Sequence, residues 1–179
     1  DWSEAWLADM KGQGEKEVLG FFGPAWLINY TMKWNCGGTT YGEGTYGDWA
    51  VCESPVGFYW GGDWILANKD SKVKAAVGEI IEWITLDYSR DGLQYAWANG
   101  TIDWDYDPST MAEKDTVPSN AVLRMSDGGI DFLGGQNMFD IYVSANAFAN
   151  AQNVTQYDEI IHSCYRDAVR QYVEGFFTR

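Results

Sequence analysis

Between Gly47 and Ser71 the chain reads Gly-Asp-Trp-Ala-Val-Cys-Glu-Ser-Pro-Val-Gly-Phe-Tyr-Trp-Gly-Gly-Asp-Trp-Ile-Leu-Ala-Asn-Lys-Asp-Ser, and no other stretch restricts its fold as strongly. The apolar run Trp49 to Cys52 predicts a short strand, and Pro55 with Gly57 predicts a turn. Phe58 to Ala67 reads as a second strand, interrupted by Gly61 and Gly62. A glycine inside a strand bends it, or lets another group approach the bare backbone. Trp60 and Trp64 flank Gly61, Gly62 and Asp63, so indole faces, open amides and a carboxylate lie close together. That mixture suits a sugar: its C–H faces stack on indole, and its hydroxyls bond to carboxylate, amide and backbone groups.

The flanking sequence alternates helix and strand signals. Trp2, Trp6 and Met10 recur every four residues and predict an opening helix, which Gly12 and Gly14 stop. Glu17 to Phe22 reads as a strand ending at Gly23-Pro24, and Ala25 to Trp34 as a short helix. Gly37 to Gly47 is a glycine-rich loop. After Asp70 or Ser71 as cap, Val73, Ala76, Val77, Ile80, Ile81 and Ile84 form one stripe of a helix through Leu86. Helices are expected at Leu93 to Ala98, Ser119 to Met125, Phe139 to Ala151 and Tyr157 to Phe176. Ile102 to Tyr106 reads as extended and Asp127 to Asn137 as loop. Thr155 with Asp158 resembles a capping box for the last helix, on which Tyr157, Ile160, Ile161, Cys164, Ala168, Tyr172 and Val173 share a face and Cys164 reads as core. Strands alternating with more numerous helices predict an α/β arrangement.

With 179 residues and 46% apolar residues, the chain can bury a core. Ten tryptophans exceed what packing alone asks for, so some are expected to line a cleft. A net charge of −14 argues against nucleic acid as a partner and disfavours anionic lipid. Of the three cysteines, Cys36 and Cys52 either pair or remain two buried thiols. A bridge would contribute about 3 kcal/mol through loop entropy.

Two further patterns are weaker. Asp103-Trp-Asp-Tyr-Asp107 opens like a calcium loop, but Pro108 stands where glycine is required and Lys114 where glutamate is required. No metal site is therefore assigned. His162 is the single histidine and reads as a helix-surface residue, with no nucleophile elbow nearby. Asn29-Tyr-Thr, Asn99-Gly-Thr and Asn153-Val-Thr match the glycosylation pattern.

An ordered set of motifs resembles the carbohydrate ABC-transporter solute-binding proteins, the maltodextrin-binding-protein-like group. The motifs are Gly-Phe-Phe-Gly-Pro-Ala-Trp (Gly20 to Trp26), Gly-Asp-Trp-Ala-Val-Cys-Glu-Ser-Pro (Gly47 to Pro55) and Phe-Tyr-Trp-Gly-Gly-Asp-Trp-Ile (Phe58 to Ile65). A Lys-Asp-Ser-Lys helix start at Lys69 and Phe-Leu-Gly-Gly-Gln-Asn (Phe132 to Asn137) complete it. The resemblance covers about the C-terminal half of such a protein. It implies the C-terminal portion of a two-lobed, type II periplasmic-binding fold of the α/β class. Residues 1–56 would belong to the C-terminal lobe, 57–127 to the hinge crossover and part of the N-terminal lobe, and 128–179 to the returning helices.

The same resemblance places Trp26 at a sugar-stacking position, and Trp60, Gly61 and Gly62 where the hinge strand meets the cleft. Asp63 would accept from sugar hydroxyls, Trp64 would add a second face, and Gln136 and Asn137 would be cleft residues. The alternatives are core tryptophans, a solvated acid and helix capping. Phe139 and Tyr142 are platform or core. The implied role is non-catalytic, with no cofactor: capture of a mono- or oligosaccharide between two lobes and delivery to an ABC permease. The implied partners are that sugar, the permease and the N-terminal half. The implied location is extracellular, lipoprotein-anchored or periplasmic. The competing expectation is a glycoside hydrolase or another carbohydrate-active fragment, which would need two carboxylates flanking a bond.

Overall fold

The computed structural model describes residues 2–55, 57–58, 60, 64–102, 113–148, 152 and 154–175. The chain forms two compact units, residues 1–149 and 150–179. The described residues are helix-rich, and no β-ladder forms among them.

In the first unit, α1 spans Glu4–Met10. The Ser3 hydroxyl accepts from the Trp6 amide at 3.2 Å, and Gly12 with φ 69° closes the far end. A π-helical turn, Ile28–Met32, runs directly into the short α2, Lys33–Asn35. Four of the five π-turn residues are buried: Ile28, Asn29, Thr31 and Met32. The turn carries a polar Asn29 inward beside apolar neighbours. The glycine-rich loop folds back on α2 through the Thr45 amide, which bonds to the Cys36 carbonyl at 2.9 Å. Gly44 (φ 56°) permits that closure, because a Cβ there would stand 2.1 Å from the Cys36 carbonyl oxygen.

Next, α3 spans Lys74–Thr85 and α4 spans Leu93–Ala98. Ser71 bonds the Val73 amide at 3.2 Å in the turn before α3 and does not cap the helix itself. The apolar stripe expected to bury α3 contains no buried residue, so this helix lies at the edge of the unit. Ser119 caps α5 (Asn120–Arg124), and Asn137 caps α6 (Met138–Ala145). One 3₁₀ turn, Asp131–Leu133, precedes α6 and another, Asn146–Phe148, follows it. The helix expected through Ala151 therefore tightens after Ala145.

The core is built from Met10, Leu27, Ile28, Met32, Val122, Leu123, Phe132, Leu133, Met138 and Phe139 with a few smaller residues. Where a sheet would satisfy backbone groups, carboxamide side chains do so instead. Gln94 donates to the Thr85 carbonyl (2.9 Å) and accepts from the Ser119 amide (3.2 Å). Asn99 donates to the Tyr95 carbonyl and the Ser126 hydroxyl, at 2.8 and 2.9 Å.

The strands expected at Glu17–Phe22 and Trp49–Cys52 are thus corrected to unladdered segments. Residues 58, 60 and 64–67 of the third expected strand are also unladdered, and 103–106 lie outside the described residues. A strand exists only when a neighbour pairs with it, and the described residues place none beside them.

The second unit consists mainly of α7, Asp158–Val173. Only part of the expected capping box forms: the Thr155 amide and hydroxyl both donate to the Asp158 carboxylate, at 3.1 and 2.6 Å, but the N-cap is Tyr157, with no side-chain cap bond. Those bonds hold the Asp158 carboxyl below its ordinary range. The helix contains no buried residue, so Cys164, expected in a core, is exposed. His162 is likewise exposed.

Candidate functional site

Trp26 enters the π-turn half-buried and sits in an aromatic cluster. Its indole stacks on Trp2 (centroids 6.0 Å apart, planes at 17°), and Trp2 leans on Trp6 at 5.2 Å. Trp6 meets Phe21 edge-on at 5.7 Å, and Phe21 packs against Trp49 at 5.4 Å. The Trp49 indole N–H donates to the Thr45 hydroxyl at 2.9 Å, tying the cluster to the glycine-rich loop. The α1 periodicity and the Gly-Pro entry to the π-turn together assemble this cluster.

Gln136 and Val51 form the link between that cluster and the entry to α6. The Val51 amide donates to the Gln136 side-chain oxygen at 2.7 Å, and the Gln136 side-chain amide donates to the Val51 carbonyl at 2.8 Å. One carboxamide thus does for Val51 what a neighbouring strand would do. Asn137 accepts from the Phe139 and Gly128 amides, at 3.1 and 3.0 Å, so its oxygen caps α6 and closes the Asp127–Asn137 loop. Asn137→Ala should lower stability by about 1–2 kcal/mol, whereas Asn137→Asp, which keeps the acceptor, should stay close to the parent. Urea unfolding of the two variants checks this, and equal losses would mean that the cap is not what holds the loop.

Trp60 is 49% exposed and lies 6.4 Å from Phe58 in a tilted pair, while Trp64 is 83% exposed. Gly57 packs on Phe148, where a Cβ would come within 2.1 Å of that side chain. Gly61, Gly62 and Asp63 lie outside the described residues, as do Asp103 to Asp107 and Pro108. The structure therefore joins Trp26 and Gln136 through Trp49 and Val51. Trp60 belongs to a separate aromatic group with Phe58.

Cys36 and Cys52 are both free, so the bridge between them is not formed. The Cys36 thiol is buried and directed at the Lys33 and Gly38 carbonyls, each 3.2 Å away, while Cys52 is exposed. Lys114, weighed as a departure from a calcium loop, binds the Asp127 carboxylate at 3.0 Å and the Gly129 carbonyl at 3.1 Å. The Gly129 amide and then Lys114 hold the Asp127 carboxyl below its usual range.

A polar cluster that the sequence did not announce lies beneath Trp26 in the chain. Asn29 and Asp115 are only 8% and 6% exposed. The Asn29 side-chain amide donates to the Lys114 carbonyl at 2.9 Å, and the Asp115 carboxylate accepts from the Thr116 amide at 2.7 Å. Burial raises the Asp115 carboxyl, against the lowering effect of its bonds with Thr116, Asn29 and Tyr30. The Tyr142 phenol is pushed well above its ordinary value by burial and by the Asp115 charge. Asn29 interrupts the apolar run Ala-Trp-Leu-Ile, and that is the one sequence signal that could have marked it. Its burial also removes the Asn29-Tyr-Thr sequon from use in the folded chain.

Among the described residues, one shallow groove lies beside Trp83, Leu86 and Tyr88 after α3 and another along α7. Neither is lined by Trp26, Trp60, Gln136 or Asn137. No described helix is long and apolar enough to cross a membrane. No protein-family model matches the chain, and no curated protein or solved structure matches it either.

Proposed function

We propose that this chain is the C-terminal portion of a two-lobed α/β solute-binding protein that captures a mono- or oligosaccharide for an ABC importer, without chemistry of its own. The observation that carries the reading is the aromatic cluster around Trp26, bound through Trp49 and Val51 to the carboxamide of Gln136. Stacking faces next to fixed amides are the two components sugar recognition uses. Exposed indoles at Trp60 and Trp64 add further platforms. In this reading, lobe closure around the sugar is driven by contacts made in both lobes.

The test is calorimetry of the full-length protein against a panel of mono- and oligosaccharides. Trp60→Ala should weaken binding by more than about tenfold, a loss of about 1.4 kcal/mol. Trp34→Ala, at an exposed indole outside the proposed site, should leave it unchanged. Equal affinity in Trp60→Ala and the parent would remove Trp60 from the site. Release of shorter sugars during the titration would instead favour a glycoside hydrolase.

A further inference from the structure

The rings linked in the aromatic cluster of the described residues differ in exposure. Trp6, Phe21, Trp26 and Trp49 are half-buried, whereas Trp2 is 55% exposed. The Trp2 indole stacks on Trp26 with centroids 6.0 Å apart and planes at 17°, so the Trp26 face that meets it is covered. Trp6 supports Trp2 from the side at 5.2 Å, with planes at 53°. The cluster therefore reaches solvent chiefly through Trp2. Trp2 also has φ 58°, the left-handed region that a bulky residue avoids. Such a conformation persists only where surrounding contacts hold it, and binding sites are where it gathers. A residue that precedes a helix cap commonly packs on the fourth helical residue, here Leu7, to fix the entry of the chain. That role alone would neither stack the indole on Trp26 nor leave most of it open to solvent.

We propose that Trp2 is the sugar-stacking face of this cluster, and that Trp26, which the motif resemblance places in that role, is the support behind it. The proposal rests on the sugar-binding reading of the chain and names the ring that meets the ligand. An indole face matches the apolar C–H face of one pyranose ring, and the near-parallel indole of Trp26 holds that platform at a fixed tilt. Support of this kind matters because an unsupported tryptophan would lose rotamer freedom on binding. The arrangement fits a pyranose unit whose hydroxyls lie around its edge, where polar groups can reach them.

Calorimetry of the full-length protein against glucose, galactose, maltotriose and cellotriose tests the proposal. Trp2→Leu keeps apolar volume over Trp26 but removes the flat face, and should weaken binding of the sugar that the parent takes by more than about tenfold. Trp2→Tyr keeps a flat face and should stay within about threefold of the parent. Equal affinity in Trp2→Leu and the parent overturns the proposal. So do equal losses in the two variants, which would make Trp2 a packing residue. A second reading needs no variant: N-bromosuccinimide oxidises exposed indoles, and peptide mass spectrometry of the parent follows each one. Saturating sugar should slow oxidation of Trp2 several-fold and leave the exposed Trp34 unchanged. An unprotected Trp2 overturns the proposal. Trp60→Ala separates the two failures. Loss of binding there with full binding in Trp2→Leu removes Trp2 and keeps the sugar reading, whereas a parent that binds none of these sugars removes both.

Discussion

Phe132→Ala should destabilise the first unit by about 3–5 kcal/mol, the largest single loss we expect from this chain. Phe132 is fully buried in the 3₁₀ turn before α6, and its ring meets Tyr46 edge-on at 5.4 Å. Its carbonyl accepts from the Gly47 amide at 3.2 Å, so the residue also anchors the glycine-rich loop to the 3₁₀ turn. Truncation removes the transfer energy of the ring and leaves a cavity between elements that cannot collapse together. The edge-to-face contact adds about 0.5–1.5 kcal/mol to that figure. Domain stabilities are only about 5–15 kcal/mol, so the variant should sit near the limit of folding at room temperature. Phe132→Leu fills most of the volume and should lose about 1.5 kcal/mol or less. Urea denaturation followed by circular dichroism separates the two variants. A loss below about 1 kcal/mol for Phe132→Ala would mean that this turn is not part of the core.

The outcome at Phe132 bears on what can be read from the amino-acid sequence. Helices are local objects, and their signals are local too: Ser3, Ser119 and the Thr155–Asp158 pair mark helix starts that the structure contains. Leu93–Ala98 forms over the residues its pattern predicts. Strands are not local. Trp49 to Cys52 has strand-like composition, but its pairing group is a side chain 85 residues away, at Gln136. Nothing in either segment alone signals that partnership. Likewise, the stripe on α3 is periodic enough to predict a buried face, yet periodicity states only that a face exists, and here none of its residues is fully buried. Asn29 escapes for a third reason. Its polar side chain reads as surface, and the partner that accepts its amide inside the unit, the Lys114 carbonyl, lies 85 residues away. The candidate site divides the same way: the aromatic composition and Gln136 itself were legible, and the pairing of Gln136 with Val51 was not.

Gln136→Ala should cost about 2–3 kcal/mol, because it removes both hydrogen bonds of Val51 at once. Val51 is half-buried, so water restores these bonds only in part. The same substitution frees the segment that holds Trp49 against Phe21, so sugar affinity should fall with stability if the aromatic cluster is the binding platform. Amide hydrogen exchange gives the most direct reading: Val51 should exchange at least about tenfold faster in the variant, which corresponds to 1.4 kcal/mol of lost protection. Unchanged exchange at Val51 would show that Gln136 does not hold this segment. Gln136→Glu adds a control with a sign. The introduced carboxylate still accepts from the Val51 amide but faces the Val51 carbonyl without a proton to donate. Its folded-state pKa should therefore lie above the ordinary glutamate value of about 4.3. A raised folded pKa gives stability that is fully present below the unfolded value and is lost as pH rises through the folded one. The Gln136→Glu protein should thus approach the parent near pH 4 and fall away from it toward pH 7, because only the protonated carboxyl can reproduce both bonds of the amide.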